Sequence, residues 1–237
     1  NIFVKFAGVP DSNDFDYSFQ AAFSPDGEVV IPATLAGTYY LQVLARDAGL
    51  QNYSLRGDIL PFSVDSVSES VVGNTGGATL RILGARLNSD TRFELVAANG
   101  VAQPAGRVVI DSATEAYATF NFYGASAQSL SLRVTPVVGG VPQTPVVLHN
   151  VVQVVEGGES DTWVQVDGSL AVFKGLVNKF EVSYFNLGSI DEMSPLVLVE
   201  SPLGVEIGMS PDTLSTESVQ ILGASLDGPA EVLRPGA

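Results

Sequence analysis

The chain has 237 residues, of which 46% are hydrophobic and 16% are charged, and its formal net charge is −15 at pH 7. This acidic excess would repel a phosphate backbone or an anionic membrane surface, which argues against nucleic-acid binding and membrane association. Cysteine is absent, which excludes disulfides, thiol nucleophiles and thiolate metal sites, and no apolar run reaches the roughly twenty residues of a membrane-spanning helix.

The residue pattern predicts an all-β protein with little or no helix. Runs rich in Val, Phe and Tyr favour strands, and many of the 24 glycines and 13 prolines fall between these runs, where turns belong. No segment shows convincing helical periodicity. The length allows two or three small domains. We expect tandem β-sandwiches, Ig-like or jelly-roll-like, over residues 1–61, 62–156 and 157–237.

In the first segment, strands are predicted at residues 2–6, 29–32, 38–46 and 53–59. The sequence N-I-F-V-K-F, the later V-V-I-P, A-G-T-Y-Y-L-Q-V and Q-N-Y-S-L resemble the bacterial pre-peptidase C-terminal domain, a small β-sandwich. That family normally carries two or three strands before the equivalent of Asn1. The resemblance therefore implies a partial domain, either cut within the fold or completed by strands from another chain.

Acidic residues cluster in the loop after the first strand, where Asp11, Asp14 and Asp16 lie close to Asn13. Hard oxygen ligands at such spacing can hold calcium, so these aspartates are candidate calcium ligands. The alternative is an acidic surface turn in which the side chains cap backbone groups. The loop lacks the glycine and the distal glutamate of an EF-hand, which excludes that motif.

The second segment begins with a strand from Phe62, a turn at Gly73, Gly76 and Gly77, and a second strand, which together predict a hairpin. In the second strand, Ala78, Leu80 and Ile82 should face one side and Thr79, Arg81 and Leu83 the other. Further strands are predicted at residues 93–96, 108–110, 117–122, 130–135 and 146–155, a spacing typical of a β-sandwich.

The run S-V-S-E-S followed by G-N-T-G-G-A-T-L-R-I-L-G-A-R-L resembles the opening of an IPT/TIG immunoglobulin-like domain. The Gly-Gly pair and the Ile82-x-Gly84 pair of that family are kept, whereas Glu69 stands where the family usually has proline. The resemblance implies a fold and leaves the activity open, because one fold hosts many functions.

The only histidine, His149, lies in a predicted strand. A Ser-His-Asp triad would have to use it, but the chain has no G-x-S-x-G nucleophile elbow. We therefore interpret it as a strand residue with one face in water. Residues 156–161, E-G-G-E-S-D, follow a long apolar strand and are typical of a short linker between domains.

In the last segment, strands are predicted from Trp163, across residues 178–188 with Phe180, Val182 and Tyr184 on one face, and at residues 196–199, 206–209 and from 219. The string G-L-V-N-K-F-E-V-S-Y-F-N-L-G resembles the CARDB-type bacterial Ig-like module. We expect a partial domain of that kind over residues 157–237, without its returning strands.

These features together favour a non-catalytic structural or adhesive segment, such as a stalk, spacer or matrix element, of a large extracellular or cell-surface bacterial protein. One alternative is a glycan- or protein-binding module attached to a secreted enzyme. Exposed aromatic side chains would favour it, and the candidates are Tyr39, Tyr40, Tyr117, Phe120, Phe122 and Tyr123. A second alternative is a self-assembling surface-layer or filament subunit, in which neighbouring chains or domains complete open sheet edges.

Overall fold

The computed structural model describes residues 1–21, 24, 26–32, 35–45, 52–168, 176–201, 205–215, 218–223 and 228–237. Strands dominate these residues, and the helical content there is one 3-10 turn at Pro211–Thr213. The all-β prediction is therefore confirmed. Across the described ranges, no helix has the length and apolar character needed to cross a bilayer. The chain divides into two compact units, Asn1–Pro61 and Phe62–Ala237.

The first unit contains an antiparallel sheet of three strands, β1 (Ile2–Phe6), β2 (Tyr17–Phe19) and β3 (Tyr39–Val43), with β1 in the centre. Phe3 and Val4 of β1 are buried. The strands predicted at residues 29–32 and 53–59 do not form. A strand needs a neighbour to satisfy its backbone groups, and in the described ranges no residue pairs with either stretch. Arg46, the last residue of the strand predicted at residues 38–46, lies outside the described residues.

The described residues of the second unit form seventeen strands, which carry the remaining labels in chain order. They are β4 (Ser63–Val67), β5 (Val71–Gly73), β6 (Gly77–Ala85), β7 (Arg92–Ala97), β8 (Ala102–Pro104), β9 (Arg107–Ser112), β10 (Glu115–Asn121), β11 (Gln128–Thr135), β12 (Val137–Val138), β13 (Val141–Pro142), β14 (Val146–Val155), β15 (Thr162–Gly168), β16 (Phe180–Asn186), β17 (Glu192–Met193), β18 (Leu196–Val199), β19 (Val219–Leu222) and β20 (Val232–Leu233).

Two facing sheets form the sandwich of this unit, with strand orders β4-β6-β10-β9 and β5-β14-β11-β7-β8. Alternate residues of the two sheets fill one hydrophobic core. As predicted, Ala78, Leu80 and Ile82 of β6 all point inward and are fully buried. Leu132 and Val134 of β11 are buried from the opposite sheet, so the period-two pattern was sufficient to assign the core face.

The strand from Phe62 pairs antiparallel with the strand after the glycine-rich turn, as the predicted hairpin requires, but the strand directly before the turn lies in the other sheet. β6 pairs antiparallel with β4, whereas β5 pairs parallel with β14 in the other sheet. The chain thus changes sheets between β4 and β5. Glu69 lies in this crossing with φ of 58°, a left-handed conformation that proline cannot adopt because its ring fixes φ near about −65°. This geometry accounts for a residue other than proline at this position.

The last segment forms three two-stranded ribbons, β15-β16, β17-β20 and β18-β19. The predicted strands from Trp163, across residues 178–188, at 196–199 and from 219 are present. The one predicted at residues 206–209 is reduced to an isolated bridge between Ile207 and Ser215. Residues 157–237 belong to the same compact unit as 62–156, and a domain boundary at residue 156 stays a prediction.

Candidate functional site

The first part of β6, residues 77–81, has an edge that β4 leaves uncovered, because β4 pairs only with Ile82–Ala85. After β4 the chain changes sheets. Ser68 covers part of this edge: its N–H donates to the Arg81 carbonyl (2.9 Å) and its hydroxyl accepts from the Arg81 N–H (3.1 Å). An uncovered edge exposes unpaired backbone groups, so the backbone of β6 before Arg81 needs further polar partners.

Asp191, from the segment between β16 and β17, supplies those partners. Its N–H donates to the Gly77 carbonyl (2.8 Å), and its two carboxylate oxygens accept from the Thr79 N–H and the Thr79 hydroxyl, both at 2.8 Å. The Thr79 hydroxyl also lies 2.8 Å from that of Thr119. Thr79 is fully buried although it faces outward from the sandwich, because the last segment of the chain covers it.

A buried ion pair joins the sheet crossing to the end of the described chain. The Arg234 Nη1 lies 2.8 Å from the Glu69 Oε1, and both side chains are 7% exposed. The Ser68 hydroxyl donates to the other oxygen of Glu69. Removing one partner of such a buried pair typically costs about 3–5 kcal/mol, because the remaining charge is left without compensation.

Arg234 is also held by its apolar and aromatic surroundings. Its Cζ lies 5.8 Å from the centre of the Tyr117 ring, within the range of a cation–π contact. Gly228, with φ of 115°, lies so close to the Tyr117 ring that a Cβ there would lie 3.1 Å from it. We call Glu69, Thr79, Asp191 and Arg234 the latch, since together they fasten the last segment to the outer face of the β4-β6-β10-β9 sheet.

The latch holds two carboxyl groups against one guanidinium. Burial raises the pKa of Glu69, and Arg234 opposes that shift without cancelling it. Burial likewise raises the pKa of Asp191, against the effect of the hydrogen bonds from Thr79. The two carboxyl groups also repel each other, which adds to the raised pKa of Glu69. These two carboxyl groups are therefore protonated more readily than the carboxyl groups of free aspartate and glutamate side chains.

A second polar group stands beside the latch on the same sheet face. The Arg81 Nε donates to the Glu115 Oε1 (2.6 Å), which also accepts the Tyr117 hydroxyl (2.5 Å). The hydrogen bond from Arg81 lowers the pKa of Glu115, whereas burial raises the pKa of Tyr117. Tyr117 thus links this ion pair to Arg234.

Asn186, at the end of β16, anchors the last segment of the chain through a further set of hydrogen bonds. Its Nδ2 donates to the carbonyls of Ile190 (2.8 Å) and Leu233 (2.9 Å), and its Oδ1 accepts from the N–H groups of Asp161 (3.1 Å) and Gly188 (2.9 Å). The amide is fully buried and uses both donors and both lone pairs.

The backbone of Asn186 completes this anchor. Its N–H donates to the Ala237 carbonyl (3.1 Å), and its carbonyl accepts from the Gly236 N–H (2.8 Å). Gly236 and Ala237, which follow Arg234 by two and three residues, are thereby tied to β16.

The structure gives each candidate calcium ligand a partner within its own loop or in β1. The Asp11 Oδ1 accepts from the N–H groups of Asn13 and Asp14, Asp14 pairs with Lys5, and the Asp16 Oδ2 accepts from the Phe6 N–H (2.7 Å). Within the described ranges, no group of three or more His, Cys, Asp or Glu side chains could hold a metal ion. Calcium binding by Asp11, Asp14 and Asp16 stays a prediction, and thermal melting with and without calcium would test it.

His149 is exposed on the outer face of β14. It lines a shallow depression of about 360 Å³ together with Ser131, Arg133 and Asn150. The Arg133 guanidinium is held by Glu94 at 2.9 Å. This position agrees with the interpretation of His149 as a strand residue with one face in water.

The aromatic candidates for ligand binding fall into two groups. Tyr117, Phe120 and Phe122 are buried, whereas Tyr40 is 42% exposed and Tyr123 is 78% exposed. Tyr39 is half-buried and stacks against Phe6 at 5.1 Å. Tyr40 lies in the first unit and Tyr123 in the second.

No family model, curated protein or solved structure matches this chain in the three comparisons made. The resemblances to the pre-peptidase C-terminal, IPT/TIG and CARDB families therefore stay predictions.

The latch and Asn186 were not predicted from the sequence. The one available signal was Glu69, a charged residue where the resembling family has proline. Arg234 follows the apolar pair Val232-Leu233, which gives no indication of a partner, and Asp191 lies in a polar stretch of the kind that usually forms a solvated turn.

Proposed function

We propose that this chain is a non-catalytic structural segment, a spacer or stalk element, of a larger bacterial surface or secreted protein. The observation that carries the proposal is the Glu69–Arg234 ion pair, whose partners are 165 positions apart and both buried. Glu69 lies just after the second unit begins at Phe62, and Arg234 lies near Ala237. The pair thus joins the two ends of the unit.

Such a connection supports a role in carrying tension, because it fastens the last segment to the sandwich. Tension applied through the two ends of residues 62–237 would load the latch and the Asn186 hydrogen bonds before it reaches the sandwich core. A unit whose ends are held together by buried contacts keeps a constant length until those contacts break, and no turnover or ligand is needed for this role. The strand-rich sandwich behind the latch supplies the rigid body.

Single-molecule force spectroscopy on the full chain, held between marker domains, tests the proposal. We expect residues 62–237 to unfold in one event that releases their whole contour length. In Arg234→Met, an earlier event at lower force should release the last segment first. A low-force release of that segment in the wild type would contradict the proposed role.

The glycan- or protein-binding alternative is less well supported, because three of its six aromatic candidates are buried. A glycan array would distinguish the two functions. We expect no specific binding, and a saturable hit that is lost in Tyr40→Ala or Tyr123→Ala would favour the binding module instead.

A further inference from the structure

The β9 strand forms one lateral edge of the β4-β6-β10-β9 sheet. β10 pairs with one side of it, and in the part of the chain that the structure describes no strand pairs with the other side. Its centre is Val108-Val109-Ile110, three β-branched residues in a row. An exposed edge of this composition is a template for pairing with another strand.

The other sandwich edges are shorter or covered. Ser68 and Asp191 cover the β6 edge beyond β4. β5 and β8 have only three residues each, and β8 ends at Pro104, which has no N–H to donate. β9 has six residues, which makes it the longest edge of the described sandwich.

Opposite charges bracket the apolar centre of β9. Arg107 stands at its start, on the same side of the strand as Val109 because side chains alternate, and Asp111 stands near its end. The partners of Arg107 and Val109 across the β9-β10 ladder are Thr119 and Tyr117, which places this side on the outer face of the sheet. The regular ladder shifts after Ile110, so Asp111 stands at the end of the straight part of the edge.

We propose that a second copy of this chain pairs antiparallel along β9, in a register centred on Val109. In this register Arg107 of each copy lies directly opposite Asp111 of the other. The dimer would therefore contain two Arg107–Asp111 pairs of opposite charge. Moving the centre to Ile110, or to between Val109 and Ile110, places Arg107 opposite Ala113 or Ser112 and matches neither charge. The two four-stranded sheets would join into one continuous sheet.

Arg107 is available for this exchange. Its current partner is Glu231, and the two side chains are 45% and 68% exposed. An exposed ion pair contributes little to stability, so a cross-strand partner can replace it at low cost. The inference is independent of the latch and of the proposed spacer role.

Sedimentation velocity over a range of protein concentrations tests the register through a charge swap. Arg107→Asp and Asp111→Arg should each weaken dimerisation about tenfold or more, since each puts like charges opposite each other at both ends. The double variant R107D/D111R restores opposite pairing and should recover the wild-type dissociation constant. Glu231→Gln is the matched control and should leave dimerisation intact.

A wild-type chain that stays monomeric at millimolar concentration would overturn the proposal, as would a double variant that dimerises no better than the single ones. If a variant fails to fold, hydrogen exchange on the wild type keeps the test decisive. β9 amides should gain protection as the concentration rises, and unchanged exchange in a dimeric sample would place the interface elsewhere.

Discussion

The Arg234 guanidinium lies 2.8 Å from the Glu69 carboxylate, and both side chains are 7% exposed. This ion pair joins the crossing between the two sheets of the sandwich to the last described segment of the chain. The sequence separation of 165 residues means that the contact closes a very long loop, whose entropic cost grows only slowly with length. The buried partners must therefore be stabilised by their surroundings as well as by each other.

Replacing Arg234 by Met should destabilise the second unit by about 3–5 kcal/mol, because it leaves the Glu69 carboxylate buried without its counter-charge. Urea unfolding followed by circular dichroism measures the change. Glu231→Gln is the matched control: it removes an exposed ion pair with Arg107 and should cost no more than about 1 kcal/mol.

The double variant E69Q/R234M separates pairing from burial. With no charge left uncompensated, it should be more stable than Arg234→Met alone, and the coupling energy in the double-mutant cycle should be clearly non-zero. Additive effects would mean that Glu69 and Arg234 do not act as a pair.

The latch predicts an unusual pH dependence, which Asp191→Asn should reveal. Burial raises the pKa values of Asp191 and Glu69 above their ordinary 3.8 and 4.5. Between the ordinary and the raised pKa values the folded state binds more protons than the unfolded state, so the free energy of unfolding falls as pH rises. The contribution is largest below the ordinary values and is lost as pH rises through the raised ones.

The measurement is urea unfolding of wild type and Asp191→Asn from about pH 3 to about pH 8, a range that spans the ordinary carboxyl values and extends above them. The stability of the wild type relative to the variant should decline with increasing pH. Glu115→Gln is a control of opposite sign: Arg81 lowers the pKa of Glu115, so wild type should gain on that variant as pH rises through the lowered value. If the stability of wild type changed with pH in the same direction relative to both variants, the assigned pKa shifts would be contradicted.

Asn186→Ala should loosen the last segment by several kcal/mol, because it removes four buried hydrogen bonds and leaves their backbone partners unsatisfied. Asn186→Asp should also destabilise, since a carboxylate cannot donate to the Ile190 and Leu233 carbonyls. Trp163, the single tryptophan, lies opposite Phe185 in the β15-β16 ribbon and reports on this segment.

In wild type, the fluorescence of Trp163 and the circular dichroism of the second unit should change at the same urea concentration. In the Asn186 variants the fluorescence transition should come first, as an independent event. Coincident transitions in Asn186→Ala would show that the residue does not anchor the segment.

Gly84→Ala should destabilise the sandwich strongly, by more than about 2 kcal/mol. A Cβ at this position would overlap the Ser63 carbonyl of the paired β4 strand, and a backbone neighbour cannot move aside as a flexible side chain can. Gly106→Ala in the same sheet is the control, because its Cβ would lie 3.7 Å from the Thr119 oxygen, an ordinary contact. Equal melting temperatures for the two variants would contradict the close approach.

Sequence reasoning was sufficient for the fold class and for most strands, because alternation assigns faces wherever one side of a strand is buried. Ala78, Leu80 and Ile82 were assigned correctly on that basis. It failed where pairing is non-local: the glycine-rich turn after β5 looks like a hairpin, although its flanking strands lie in different sheets.

The latch was beyond sequence reasoning for a physical reason. Charged residues are usually exposed, so Glu69, Asp191 and Arg234 read as surface positions. Their burial depends on a contact between segments that are far apart in the chain, and no local periodicity encodes such a contact.

Native-state hydrogen exchange at the backbone N–H groups of Asn186 and Gly236, which bond Ala237 and Asn186 respectively, tests most directly whether residues 62–237 are held as one unit. If the latch and Asn186 fasten the last segment as described, these amides should open with the same free energy as amides in the core of β11, through global unfolding. Exchange of the two amides at a free energy several kcal/mol below that of β11 would show that the segment detaches by itself and would contradict the account.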